Sequence, residues 1–487
     1  MKKTILFLCR SELTDLYVEL GKRLKDRFQI EYAAYNDDDV KRMSHAGVTP
    51  GIVFTDCLRE KADCFPTQEQ LEELNQFILK WSDRRFSLNS AIQSDRTYAG
   101  MTYPDALTNI YRCYAIWKEY FSSRKIAYVF HELVSLAFNQ MAELNCKANG
   151  GMYLTFISAF GKFRFSYLIL DAGNARCPEL EFHLKQIAKG EETVDDSYVD
   201  AFLKKFRNDF QILAAQGRNM APSFFSLFFR GTAHWLKQHL SSDKTSRMND
   251  SVEYFLRRQN PNLKRAFNKI DYALQIRYDQ INPDEKYYYY SIHLEPEAVV
   301  LYWGDGFYTN QIKLIENIAG QLPPGTYLYV KDHPHYLYYR EVEDYLRLKK
   351  IPNIRLLPPE IPGKKLIRNA EGVFSINATA GLEALLMQKE VYIFGHAFYA
   401  VCPLIHTVRN VRDLRDILYQ ASPWDERKEE QLRVFLAAML QSTHEGVTCF
   451  FSGLAQKYPV DQQENFNKIS EDIVLFNDYM ERSEKPE

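Results

Sequence analysis

Between residues 287 and 394 short β-rich runs alternate with helical ones, and that alternation constrains the chain more than any other feature. The strands read as 287–294, 326–331, 353–357, 372–376 and 391–394, with helices at 308–320, about 338–348, 363–369 and 380–388 between them. Strand and helix in strict turn describe one doubly wound α/β domain around a parallel sheet. The N-terminal end starts the same way. TILFL at 4–8, a helical run at 12–28 and QIEYAA at 29–34 form a βαβ opening. A long helical stretch covers about 67–120. KIAYVFHE then reads as a strand ending in His131 and Glu132, followed by a helix to about Cys146 and the strand GGMYLTFIS before FGKFRF.

Residues 180–280 are charged, helical and weakly patterned, as an insertion would be, and NPDEK at 282–286 reads as a linker because Asn-Pro and charge break the helix. The expected division is therefore 1–285 as an N-terminal Rossmann-like domain with the insertion, 286–410 as a second such domain, and 411–487 as C-terminal helices with a polar SEKPE tail. A chain of 487 residues exceeds one ordinary hydrophobic core, which agrees with two α/β domains.

Charge and cysteine usage narrow the function classes. With 61 basic against 63 acidic residues and a net charge of −2, the chain lacks the cationic excess on which nucleic-acid affinity rests. No nucleic-acid partner is expected. Its eight cysteines contain no CxxC pair, so they read as scattered reduced thiols rather than a disulfide framework or a zinc site. MKKTILFLC has too short an apolar run for a signal peptide and reads as the first strand. The 32 Tyr and 32 Phe, with YYYY at 287–290, suit stacking on sugars or bases, but core filling is the reading favoured here.

In open α/β sheets ligands bind beyond the carboxyl ends of the strands. TYLYV stops at Lys331, Asp332, His333 and Pro334; GVFSI stops at Asn377, Ala378 and Thr379; VYIF ends in Gly395, His396, Ala397, Phe398 and Tyr399. After the second of these, small residues open the helix LEALLM, and a helix start of that kind is an anion site, most often for phosphate. Three successive strand ends with His, Ser/Thr, Glu and aromatic residues suggest a nucleotide site.

HLEPE, NQIKLIENIAGQLPPGTYLYVKDHP and SINATAGLEALLMQKEVYIFGHAFY together resemble the bacterial capsule polysaccharide biosynthesis family, which includes β-Kdo transferases. The likeness covers about 291–399 well and the N-terminal half more loosely, through AYVFHE and FGKFRF with Arg164. It implies two Rossmann-like domains facing a cleft (GT-B), a nucleotide-activated sugar donor, no essential metal and no separate cofactor. It also implies a cytoplasmic location at the inner membrane, with peripheral contact to the membrane or to polysaccharide assembly proteins. The HP and Ser/Thr elements are similar to those of CMP-using sialyltransferases, so a CMP-linked donor such as CMP-Kdo and a glycan or glycolipid acceptor are the expected substrates.

Roles follow residue by residue. Glycosyl transfer needs a carboxylate near the anomeric carbon as base or nucleophile. Where the family places an Asp, this chain has Glu295 and Glu297 around Pro296, with His293 beside them, and Glu297 lies nearest the family position. Lys331, His333 and Pro334 are donor-side candidates. Ser375, Asn377, Thr379 and Gly381 would meet phosphate, Glu383 the ribose, and His396 and Tyr399 the donor pocket. His131, Glu132 and Arg164 are candidates for the acceptor or the keto-acid carboxylate. The only DxD-like run, DDD at 37–39, reads as solvated. Two other classes stay open: a teichoic-acid-type transferase using a CDP-polyol, and a non-catalytic polysaccharide-binding protein.

Overall fold

β1 (Thr4–Cys9) and β2 (Gln29–Ala34) pair in parallel from Thr4 opposite Gln29 to Cys9 opposite Ala34. The computed structural model describes residues 2–161, 165–208, 223–240, 261–295, 297–333, 338–448 and 460–483, so Arg164, Pro296 and Pro334 lie outside the described residues. Contacts divide the chain into two units, Met1–Asp195 with Val434–Glu487, and Asp196–Arg433.

In the first unit β3 (Ile52–Val53), β4 (Tyr128–Phe130), β5 (Met152–Ser158) and β6 (Ser166–Asp171) join β1 and β2, and the far edge is closed by His444–Glu445, β13 in chain order. The sheet order is β13-β6-β5-β4-β1-β2-β3. β6 and β13 run antiparallel to their neighbours; the other pairs are parallel. The chain moves outward from β1 to β3, then restarts on the other side of β1 at β4. Right-handed crossovers make such a reversal place helices on both faces. The core fills with Ile5, Phe7, Tyr128, Phe130 and Ile169 from the strands and Leu16, Leu20 and Leu24 from the Leu13–Leu24 helix. Phe466, Ile469, Ile473 and Phe476 of the C-terminal helix Gln462–Ser483 join them.

In the second unit the order is β12-β11-β10-β7-β8-β9, all parallel, with β7 (Lys286–Ser291), β8 (Thr326–Lys331), β9 (Ile354–Leu357), β10 (Gly372–Ser375), β11 (Glu390–Ile393) and β12 (Ile405–Thr407). This sheet also starts in its middle. From β7 the chain goes outward through β8 and β9, then restarts at β10. The four tyrosines of β7 are core: Tyr287 to Tyr290 are all buried, and Tyr287 stacks on Tyr329 at 3.9 Å while its hydroxyl donates to Leu366 O at 2.7 Å. Two doubly wound α/β units in one chain are the parts of the expected GT-B architecture.

The division at 195/196 differs from the expected boundary near 285, and the reasons are polar contacts. The NPDEK segment is held inside the second unit, since Glu285 accepts from Tyr329 Oη at 2.8 Å and pairs with Arg355 at 2.8 Å. Within the expected insertion, the helix Pro178–Ala188 stays with the first unit, while Asp196–Asn208 belongs to the second. There Arg207 Nε donates to Leu386 O at 2.8 Å and Lys364 Nζ donates to Phe206 O at 3.0 Å. Residues 434–487, part of the 411–487 stretch expected as C-terminal helices and tail, complete the first unit through β13 and the Gln462–Ser483 helix. The DDD run also differs from expectation: Asp37 and Asp38 are exposed, but Asp39 is buried, closes a capping box with Asn36 and accepts from Thr14 Oγ1 at 2.8 Å.

Candidate functional site

The reversal of strand order in the second unit falls between β7 and β10, which makes the carboxyl ends of those two strands the crevice where a ligand sits in sheets of this kind. His293 follows β7 and Ser375 ends β10, and the His293 Nε2 lies 3.4 Å from the Ser375 hydroxyl. Both are buried. Burial, with the nearby His333, pulls His293 down to a pKa of about 3, so its ring is neutral at pH 7. The Ser375 hydroxyl also accepts from Ala378 N–H at 2.7 Å, which folds the SINATAG turn into the start of the Thr379–Leu386 helix. Thr379 at that start is exposed, and a helix start presents N–H groups without intrahelical partners.

A short helix, Ala298–Trp303, leaves the HLEPE loop and lies over the same edge. Asn377 Nδ2 donates to Val299 O at 2.8 Å, and His396 N–H donates to Trp303 O at 2.7 Å. His396 Nε2 meets Asp305 at 3.0 Å. Glu297 stands at the N-cap position of this helix, half-buried, where its side chain makes no capping bond. The loop after β7 is thereby tied to Asn377 and His396 at the ends of β10 and β11. Asn377 Oδ1 is buried and takes no hydrogen bond among the described residues, an acceptor left over at the crevice.

Several expected ligand contacts turn out to be internal supports. Gly381 makes room for Tyr399 rather than for a ligand: a Cβ there would stand 2.5 Å from the Tyr399 hydroxyl, which itself donates to Ala378 O at 2.7 Å. Tyr399 is 1% exposed and braces the turn from beneath. Lys331 is buried, with its ammonium near the carbonyls of Asp332 and Pro359 at 3.3 and 3.5 Å, and burial lowers its pKa. It shares that interior with Glu383, which burial pushes up to about 7 against the pull of Lys364 and Lys331.

Glu295 and Glu297 part company. Glu295 pairs with Arg340 and accepts from Gln311 N–H at 3.4 Å. Arg340, buried, also lies 3.5 Å from Asp332, which accepts from Tyr345 Oη and, at 2.7 Å, from His333 N–H. Burial raises Asp332, while it opposes an upward shift of Arg340 that Asp332 and Glu295 impose. One guanidinium thus fastens the HLEPE loop to the KDH loop, and half-buried His333 is held by its backbone at the mouth of β8. Arg340 escaped the sequence reading because it sits outside every strand-end motif.

In the first unit the reversal falls between β1 and β4, and His131 and Glu132 follow β4 there. His131 is 0% exposed and donates from Nδ1 to Leu8 O at 2.8 Å; burial lowers its pKa to about 4. The ring is therefore neutral and locked into the sheet. Glu132 is half-buried and pairs with Arg10 at 2.7 Å; burial would raise it, but Arg10 holds it below the ordinary carboxylate range. Arg10, at the end of β1, places a guanidinium at this edge.

Residues 232–425, within the second unit, match the family model described as capsule polysaccharide biosynthesis protein. Over those residues the chain is similar to the capsule polysaccharide biosynthesis family. A curated relative in this setting, the Escherichia coli capsule polysaccharide export protein KpsS, is 29% identical over 98 residues, 19% of this chain and 25% of that protein. The match therefore spans a quarter of the relative's own length. Among solved structures, the Thermosulfurimonas dismutans KpsC β-Kdo 2,4 transferase aligns with a TM-score of 0.32 at 16% identity, covering 66% of this chain and 82% of that one. The KpsC β-Kdo 2,7 transferase of the same organism aligns at 0.36 and 11%, covering 98% and 100%. Neither alignment adds to what the strand orders establish. Among the described residues no helix is long and apolar enough to cross a membrane.

Proposed function

We propose that the chain is a glycosyltransferase of capsule or lipopolysaccharide assembly, moving Kdo or a related sugar from a CMP-activated donor to a glycan or glycolipid acceptor. One observation carries the reading: the β7/β10 reversal gathers a half-buried carboxylate, Glu297, and an exposed helix start, Thr379, on one sheet edge of the unit that the family match covers. The helix start and its dipole suit the phosphate of a leaving nucleotide. The neutral His293 and buried Ser375 hold that start in place, and Glu297 takes the acceptor's proton or attacks the anomeric carbon. Kdo and CMP rest on the motif resemblance of HLEPE, KDHP and SINATAG.

Calorimetry with CMP, UDP, GDP and CDP-glycerol tests the donor; CMP should bind most tightly, and tight UDP binding without CMP binding overturns it. His333→Ala should weaken CMP binding by about 1–3 kcal/mol without changing the unfolding temperature, through loss of one polar contact. Affinity unchanged within error would leave His333 a structural residue. Helix-start N–H groups rather than a divalent ion meet the leaving phosphate in this reaction, so transfer should persist in EDTA. Activity lost in EDTA and restored by magnesium or manganese counts against it. Appearance of donor phosphorus in the product would instead identify a polyol-phosphate transferase.

A further inference from the structure

Two loops of the second unit meet at the end of β11. His396 N–H donates to Trp303 O at 2.7 Å, and Gly395 comes so close that a Cβ there would stand 2.5 Å from the same oxygen. These backbone contacts already fasten β11 to the end of the Ala298–Trp303 helix. The side chains add a link that the fastening does not need: both carboxylate oxygens of Asp305 lie 3.0 Å from His396 Nε2. In the turn that brings the carboxylate there, Asp305 has a φ of 59° and Gly306 one of 65°, left-handed backbone that few residues other than Gly, Asn and Asp adopt. His396 Nδ1 makes no hydrogen bond among the described residues, and the two side chains are each 27% exposed, within reach of a ligand.

Position and chemistry indicate a use for that nitrogen. β10 and β11 leave the sheet side by side, with Gly395 N–H donating to Ile376 O at 3.0 Å, so Asn377 and His396 come next on the two chains. Three residues beyond His396, Tyr399 Oη donates to Ala378 O at 2.7 Å, against the start of the Thr379–Leu386 helix. His396 therefore stands in a segment held between Trp303 and the helix start that suits the leaving phosphate. An imidazole whose Nε2–H is fixed on a carboxylate can pass a proton at Nδ1. We propose that His396, oriented by Asp305, gives the leaving phosphate its proton. The step rests on the glycosyl transfer proposed above. As the bond from the anomeric carbon to the phosphate oxygen breaks, its electron pair stays on that oxygen and the Nδ1 proton passes to the phosphate. The ring is left neutral, with Nε2–H still on Asp305, and solvent returns a proton to Nδ1 once the nucleotide has left. Asp305 touches no reacting atom and is a positioning residue.

Two variants of the full chain test it, with the nucleotide sugar that the parent turns over. His396→Ala should lower kcat at least about a hundredfold while nucleotide affinity, by calorimetry, stays within about threefold of the parent. Added imidazole should raise the rate of that variant at least about tenfold, since the position is partly open to solvent, and sodium chloride of the same ionic strength should not. Asp305→Asn removes the charge but keeps a residue that tolerates the left-handed turn. Its unfolding temperature should match the parent's, and kcat should fall about tenfold with no gain from imidazole, because the ring is still present. Transfer by His396→Ala within about threefold of the parent overturns the proposal and leaves the glycosyl transfer standing. So does a loss of transfer that imidazole leaves unchanged, since His396 would then only brace the loop. A parent that releases nucleotide from no sugar donor overturns the transfer itself, and this step with it.

Discussion

Glu297→Gln should lower sugar transfer at least about a thousandfold while leaving CMP affinity within error, because in the proposed reaction the change removes the carboxylate's interaction with the reacting centre. Glu297 makes no capping bond at the start of the Ala298–Trp303 helix, and its backbone oxygen, which the substitution keeps, accepts from Val300 and Leu301 at 3.1 and 3.0 Å. Glu295→Gln should behave in the opposite way. Its carboxylate is committed to Arg340, so the substitution should cost about 1–3 kcal/mol of stability and leave transfer within about tenfold of the parent. Transfer rate, CMP affinity and urea unfolding measured side by side on both variants separate the two roles. Near-parental transfer by Glu297→Gln with loss in Glu295→Gln would exchange the assignments, and full activity in both would remove the HLEPE loop from the chemistry.

The different surroundings of the two glutamates were only half legible in the sequence. HLEPE marked a polar loop at the sheet edge, because a strand that stops at a proline leaves one there. Which glutamate is tied down depends on Arg340, which lies 45 residues from Glu295 and in no motif. The strands of the second unit were legible to within one to three residues at each end, from β7 to β11, because short apolar runs between amphipathic helices leave a periodic trace. β3 and β13, with two residues each, and β12, with three, leave none. The Ala298–Trp303 helix was hidden for a related reason: six residues are too few to show a helical period, and Glu297 and Pro296 read as loop. The unit boundary was misplaced because Arg207, Lys364 and Glu285 bind partners far along the chain, and such contacts carry no local signal.

The same blindness applies to the cluster on which the first unit's C-terminal segment depends. His444 in β13 meets Glu179 at 2.8 Å through Nε2 and Asp472 at 3.1 Å through Nδ1, and Tyr167 Oη donates to Asp472 at 2.6 Å. These residues join β6, β13, the Pro178–Ala188 helix and the Gln462–Ser483 helix. Burial opposes charge on the His444 ring, but Asp472 and Glu179 outweigh it and raise the pKa to about 10. Burial also pushes Glu179 upward against the pull of His444; with two carboxylates around one ring, the imidazolium is the form the cluster retains. Removing one member leaves buried charge uncompensated, so His444→Gln should cost about 3–5 kcal/mol of stability at neutral pH. The pH dependence follows from the sign of the shift. The folded state holds a proton that the unfolded state releases above about pH 6.5, the ordinary value for histidine. Stability from His444 is therefore fully present below about pH 6.5 and is lost as pH rises through about 10. Urea unfolding of the parent from pH 6 to 10 should show that decline, and His444→Gln should show a flatter curve that meets the parent's near the alkaline end. Parallel curves for the two proteins would mean that the ring is neutral in the fold and that the cluster holds the C-terminal segment by packing alone.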